Sequence, residues 1–175
     1  MGFFFRVVSI SFCFGVAAPA YACVILLAAA VRSAPAEARE AVSFRANYSA
    51  GTIVVKTGER RLYYVTGDGQ ALRYPVGVGK AGKQWAGKAQ IDGKYIKPAW
   101  ASPSNITRVI PGGSPSNPMG VAALTLSGGE YAIHGTNRPD SIGGFVSSGC
   151  IRMYNQDVMD LFQRVSVGTP VVVTR

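Results

Sequence analysis

Hydrophobic and polar positions divide this chain into stretches of different texture. Val7 to Val31, "VVSISFCFGVAAPAYACVILLAAAV", contains no charged residue and is flanked by Arg6 and Arg32. About 20 apolar residues span a bilayer, so this segment is long enough for a membrane anchor. It also carries small-residue cleavage sites at Ala20-Tyr21-Ala22 and Ala34-Pro35-Ala36, as a secretory signal peptide does. The helix-breaking Gly15 and Pro19 and the Ala-rich end favour the signal peptide over the anchor. Lipidation at Cys23 is a weaker third reading, because "AYAC" lacks the usual leucine upstream. Residues 1–36 are assigned to export, and each reading sends the rest of the chain to the periplasm or cell envelope. Contact with a membrane is expected only through this segment. Residues 37–50 are polar and Ala-rich and read as a linker.

From Thr52 the pattern becomes that of β-structure. "TIVVKT" is a β-branched run, and "RRLYYVT" follows a short turn. Gly67-Asp68-Gly69 predicts a tight hairpin, because Asp-Gly tolerates positive φ. "ALRYPVGVG" continues as a third strand, so residues 52–78 read as a three-stranded meander. Residues 79–119 are rich in Gly, Pro, Ser and Lys and predict mostly loop, with short strands such as "KYIK". A stretch that long and irregular inside a compact domain is usually functional. "AALTLS" and "YAIHG" predict two strands around the Gly128-Gly129 turn. A helix is expected after Cys150, with Asn155 as N-cap and Asp157 in the first turn. Val158, Leu161, Phe162 and Val165 follow the i, i+3, i+4, i+7 spacing of a buried face. Gly168 and Pro170 end the helix, and "VVVT" closes the chain as a strand. The sum is a mainly β domain over residues 51–175 with one helix.

Charge narrows the partners. The chain has 18 Lys and Arg against 9 Asp and Glu, a formal net charge of +9. No dense basic run and no zinc-finger or RNA-binding signature accompanies it, which argues against nucleic acid. An anionic polymer outside the membrane suits the charge better. Of the three cysteines, Cys13 and Cys23 fall in the export segment. Cleavage after Ala36 would leave Cys150 alone, unable to form an internal disulfide.

The remaining chemistry sits in "YAIHGTNRPDSIGGFVSSGCIRM", Tyr131 to Met153. A cysteine nucleophile reacts as the thiolate, and a free thiol has a pKa of about 8.5, so it needs an imidazole or another positive field nearby. His134 is the only histidine in the chain. It ends a strand and is followed by Gly135, which allows a sharp backbone turn. Gly149 before Cys150 lets a substrate carbonyl approach the main chain, where the amides of Gly149 and Cys150 would hold an oxyanion. Arg152 shares a face with Cys150 if the segment is extended, and suits a thiolate or a substrate carboxylate. Each feature also has a plain structural reading: a buried small hydrophobe, a strand-end histidine, a surface arginine, a Gly-Ser loop. Spacing alone leaves both readings open.

His134-Gly135-Thr136 followed by Ser147-Ser148-Gly149-Cys150-Ile151-Arg152-Met153 resembles the signature of the L,D-transpeptidase catalytic domain, the YkuD-like family of bacterial cell-wall enzymes. The pattern there is HG-[ST], a glycine-containing spacer, then S-H-G-C-[IV]-R-[ML]. "RRLYYVTGDGQALRYPVGVGK", "GGSPSNPMGVAALTLS" and "DVMDLFQRVSVGTPVVV" extend the resemblance over about Thr52 to Val173. Two departures stand out. Ser148 replaces the second histidine of S-H-G-C, which in the family is not the general base. "GKQWAGKAQIDGKY" lacks the family's Thr-Pro-x-Gly stretch.

The resemblance implies a β-sandwich with the cysteine loop at one end and one C-terminal helix after it. It implies Cys150 as nucleophile and His134 as base, with Gly135 orienting the imidazole. Gly149 and Ser148 would support the oxyanion, and Arg152, Ser147 and Thr136 would bind substrate. The implied reaction joins peptidoglycan: Cys150 takes a tetrapeptide stem from its terminal D-alanine and passes it to an amine. The acceptor would be another stem, an outer-membrane protein, a free D-amino acid or water. No cofactor is implied, and one His with one Cys does not make a closed zinc site. Two alternatives remain, a catalytically silent peptidoglycan-binding module and a sortase-like transpeptidase. Sortases, however, carry a threonine where Gly149 stands.

Overall fold

The computed structural model describes residues 39–102, 105–128 and 131–175. Residues 1–36, read above as an export segment and carrying Cys13 and Cys23, lie outside them. Strands β1 (Glu40–Ser43), β2 (Ile53–Lys56), β3 (Arg61–Gly67), β4 (Gln70–Pro75), β5 (Val78–Gly79), β6 (Gly87–Ile96), β7 (Trp100–Ser102) and β8 (Asn105–Ile110) come first. Then follow β9 (Ala122–Leu126), β10 (Ala132–His134), β11 (Phe145–Ser147), β12 (Ile151–Arg152), helix α1 (Asn155–Arg164) and β13 (Pro170–Thr174).

Nine strands form one ladder in the order β1-β4-β3-β2-β13-β6-β9-β10-β12. The expected meander is its β2–β3–β4 part, antiparallel throughout. Its hairpin turn places Asp68 and Gly69 at φ 51° and 70°, as the Asp-Gly pair predicts. The closing strand β13 enters between β2, to which it is parallel, and β6, to which it is antiparallel.

β6 passes from one leaf to the other. Its first half pairs with β13 and its second half with β9, with a register shift between Ile91 and Gly93. A bulge of this kind bends a strand and lets it change sheets. The two leaves and α1 close on one core. Ile53, Val55, Leu62 and Tyr74 of the first leaf meet Leu124, Leu126, Ile133 and Ile151 of the second, with Val158 and Leu161 of the helix. A smaller cluster, Phe44, Val54, Tyr63, Val65 and Ala71, covers the other face of the first leaf.

Three expectations change. Residues 40–43, read as linker, form β1 against β4, and Phe44 is buried beside Tyr63. Residues 79–119 are about half strand rather than mostly loop: ten-residue β6 and the β7–β8 hairpin. Along β6 only Ile91 and Gly93 are buried, so alternation is too sparse to announce the strand. Asn155 is the first helical residue rather than the N-cap, which is Tyr154. The amide side chain of Asn155 turns instead to the strand ends, where its Oδ1 accepts from the backbone amides of Thr136 (3.0 Å) and Val121 (3.4 Å).

Candidate active site

β10 and β12 are parallel neighbours, with Ile133 beside Ile151 and His134 beside Arg152. Ile133 and Ile151 point into the core and are fully buried. Side chains alternate along a strand, so His134, Arg152 and Cys150 face the other way together. They line a cleft of ≈ 170 Å³ with Trp100, Pro118, Met119, Ser147 and Ser148. The 16-residue gap between His134 and Cys150 in sequence is closed by one strand pairing.

His134 is 4% exposed. Its Nδ1 lies 2.6 Å from the Gly135 carbonyl oxygen. A carbonyl only accepts, so Nδ1 carries the proton and Nε2 is the basic nitrogen. Burial pulls the imidazole pKa down to about 4; Arg152 adds to this, while the carbonyls of Gly135 and Pro118 oppose it. The ring is therefore neutral at pH 7 and able to accept a proton. Burial pushes the Cys150 thiol up, against a backbone hydrogen bond from Ala132 and the positive charge of Arg152. At rest the pair is thiol and imidazole rather than an ion pair.

The cysteine loop is tied on several sides. Ser147 Oγ donates to the Cys150 carbonyl (2.6 Å) and accepts the Gly149 N–H (3.0 Å). Trp85 Nε1 donates to the Gly149 carbonyl (3.0 Å). Gly149 has φ +131°, and a Cβ there would run into the Tyr131 ring. That ring stacks on Trp85, with centroids 5.0 Å apart and planes 8° from parallel.

The sequence-predicted residues thus separate. His134, Cys150, Arg152 and exposed Ser148 line the cleft. Ser147 lines it too, but its hydroxyl is engaged by the loop backbone, which makes it a brace rather than a substrate ligand. The Gly149 amide is likewise taken by Ser147, so it is not a free oxyanion donor. Thr136 is buried, accepts from the Arg138 amide (3.0 Å), and faces a neighbouring pocket with Lys97, Asn117 and Asn155. It is not brought into the cleft. Gly135 supplies the carbonyl that sets the histidine tautomer, and a Cβ on it would strike Asn155 Oδ1.

Sequence reasoning missed Trp85, Tyr131, Trp100 and Asn117. Asn117 is buried and donates to the carbonyls of Pro98 (2.8 Å) and Pro111 (3.1 Å). It fastens the β7–β8 hairpin, whose Trp100 forms a wall of the cleft. Asn117 stands in Asn117-Pro118-Met119-Gly120, part of the stretch that carries the family resemblance, but no role followed from it; no local pattern marks the three aromatics, and only the three-dimensional pairing does.

Residues 50–173 match the YkuD family, described as the L,D-transpeptidase catalytic domain. The chain belongs to this family. The Escherichia coli K12 protein named probable L,D-transpeptidase ErfK/SrfK is 39% identical over 135 residues, covering 68% of this chain and 42% of that protein. The protein named probable L,D-transpeptidase YbiS, also of E. coli K12, is 39% identical over 135 residues, 68% of this chain and 43% of that protein. The chain spans less than half the length of these curated relatives. The catalytic domain of an Enterococcus faecium L,D-transpeptidase superposes with TM-score 0.58 at 20% identity, over 74% of this chain and 100% of that one. A Mycobacterium tuberculosis L,D-transpeptidase gives TM-score 0.58 at 17% identity, over 71% and 57%. These structures share the fold, so the mainly β architecture with one helix is that of the L,D-transpeptidase domain.

Proposed function

We propose that this chain is a peptidoglycan L,D-transpeptidase that acts outside the cytoplasmic membrane. The supporting observation is the histidine tautomer. Gly135 takes Nδ1–H and leaves a neutral Nε2 on the face that also carries Cys150 and Arg152. Membership of the family supports the substrate class.

In this reading Cys150 Sγ attacks the carbonyl before the terminal D-alanine of a tetrapeptide stem. His134 Nε2 takes the thiol proton as the bond forms. The resulting imidazolium is favoured by the Gly135 and Pro118 carbonyls. The carbonyl oxygen becomes an oxyanion facing the Cys150 amide. The C–N bond then breaks, and His134 returns the proton to the departing D-alanine amine. An acceptor amine attacks the thioester, His134 takes its proton, and the thiol is regenerated. One amide replaces another, so no ATP is needed. Arg152 Nε is buried without a hydrogen-bond partner. It suits the carboxylate of the terminal D-alanine. The acceptor is a second stem or an outer-membrane protein, and residues 1–36 direct export.

One observation favours a silent wall-binding module: burial raises the Cys150 thiol, as for an inert core cysteine. Incubation with a disaccharide-tetrapeptide and an amine acceptor decides between them. Release of D-alanine together with a cross-linked product supports the enzyme. Binding without release supports the module.

A further inference from the structure

We infer that Trp85 is a positioning residue for acyl transfer: its indole N–H holds the carbonyl of the Gly149–Cys150 peptide and so aims the Cys150 amide at the developing oxyanion. The inference rests on the reading of Cys150 as the acyl-forming nucleophile and names a residue that serves it.

The peptide group is planar and trans, so its C=O and its N–H point in opposite directions. The Trp85 indole grips the Gly149 carbonyl at 3.0 Å. The Cys150 N–H of the same peptide must then point away from Trp85. The rest of the loop leaves this amide as the free donor. The Gly149 N–H is taken by Ser147 Oγ, and the Cys150 carbonyl accepts from the same hydroxyl. No hydrogen bond engages the Cys150 amide among the described residues.

The grip is rigid because Trp85 is itself held. It stacks on Tyr131, which precedes β10, and it packs against the main core. Tyr131 also occupies the space beside the Gly149 α-carbon, so the loop cannot swing toward it. The segment that carries Trp85 is pinned to the cysteine arm at a second point, where the Lys80 amide donates to the Ser147 carbonyl (3.0 Å). This is the same segment that lacks the family's Thr-Pro-x-Gly stretch. A donor fixed in place before reaction stabilises the oxyanion without reorganisation, which is where such groups have their largest effect.

The test compares two reactions at one sulfur. Iodoacetamide alkylates a thiolate at a tetrahedral carbon and forms no oxyanion. Imipenem acylates through a tetrahedral oxyanion. Trp85→Phe retains an aromatic ring against Tyr131 and removes the N–H. Acylation is expected to slow by about 10- to 100-fold, below the roughly 100- to 1000-fold loss of an oxyanion donor itself. The alkylation rate and its pH profile are expected to stay as in wild type. Unchanged acylation overturns the inference. So does a parallel fall of both rates, which would mean that Trp85 acts on the thiol or on general order. Should Trp85→Phe fail to fold by circular dichroism, benzothienylalanine at position 85 takes its place. It has the indole shape without the N–H, and slower acylation with unchanged alkylation is again the expected result. A wild-type protein that imipenem does not acylate would instead count against the transpeptidase reading itself.

Discussion

His134 and Cys150 are both too buried to be charged at rest. Burial holds the imidazole at about 4 and raises the thiol. In the proposed reaction the proton therefore moves during attack rather than before it, and a neutral Nε2 is available over the whole range above about pH 4. A pH titration of iodoacetamide alkylation is expected to show one rise, above the ordinary thiol pKa of about 8.5. A plateau of fast alkylation between mildly acidic and neutral pH would reveal a preformed thiolate–imidazolium pair and contradict this. Residue type and spacing only raised Cys150, His134 and Arg152 as candidates; the likeness of "HGT" and "SSGCIRM" to the family motif singled them out, and the β10–β12 pairing sets them along one cleft. Trp85 and Tyr131 were not legible. An aromatic in a Gly-Lys loop and another at a strand start give no sign that they stack, and the Gly149 carbonyl they secure has no side chain to advertise it.

At the scale of elements, Asn155 joins three of them. It begins α1 and accepts from Val121 before β9 and Thr136 after β10. Gly120 and Gly135 approach its Oδ1 so closely that neither position has room for a Cβ. Asn155→Ala leaves the Thr136 amide unpaired and is expected to destabilise the fold by about 1–3 kcal/mol. Asn155→Asp keeps the acceptor and adds charge in the first helical turn, so it should retain most of the stability. Chemical denaturation of both variants checks this, and equal losses would refute the acceptor role. The sequence marked Asn155 as a helix cap because that is the local use of the residue. Its actual partners are strand ends 19 and 34 positions away in sequence. The β2–β3–β4 meander and α1 were readable for the opposite reason: their hydrophobic period and turn chemistry are local. Of β6 only the end, read as the short strand "KYIK", was readable, since its bulge and Gly93 interrupt the alternation before it.

Across the whole molecule, two leaves and a helix share one core, and α1 is anchored by ionic contacts. Asp160 pairs with Arg39 and Arg164 and accepts from the Tyr74 hydroxyl (2.6 Å). Asp157, one turn earlier, is 3% exposed, and its Oδ2 has no partner. Burial pushes its carboxyl from 3.8 up to about 6, Asp160 adds to the rise, and Arg39 opposes it. The folded state thus holds this proton more tightly than the unfolded chain, and the contribution of Asp157 to stability falls as pH rises from about 4 to about 6. Asp157→Asn is expected to stabilise the protein by about 1–2 kcal/mol at pH 7.5, after allowance for the favourable helix N-terminus. The gain should vanish below pH 4. Thermal melts at the two pH values check it, and a gain that persists at low pH would show that the carboxylate is not the cause.

The central claim is that Cys150 becomes acylated with His134 as its base. The direct measurement is mass spectrometry of the intact protein after brief incubation with a disaccharide-tetrapeptide, followed by mapping of the adduct. The account predicts a covalent stem lacking its terminal D-alanine, located on Cys150. It also predicts formation slowed by about 100- to 10,000-fold in His134→Ala. A folded wild-type protein that gains no adduct, or an adduct that forms equally fast in His134→Ala, would contradict it.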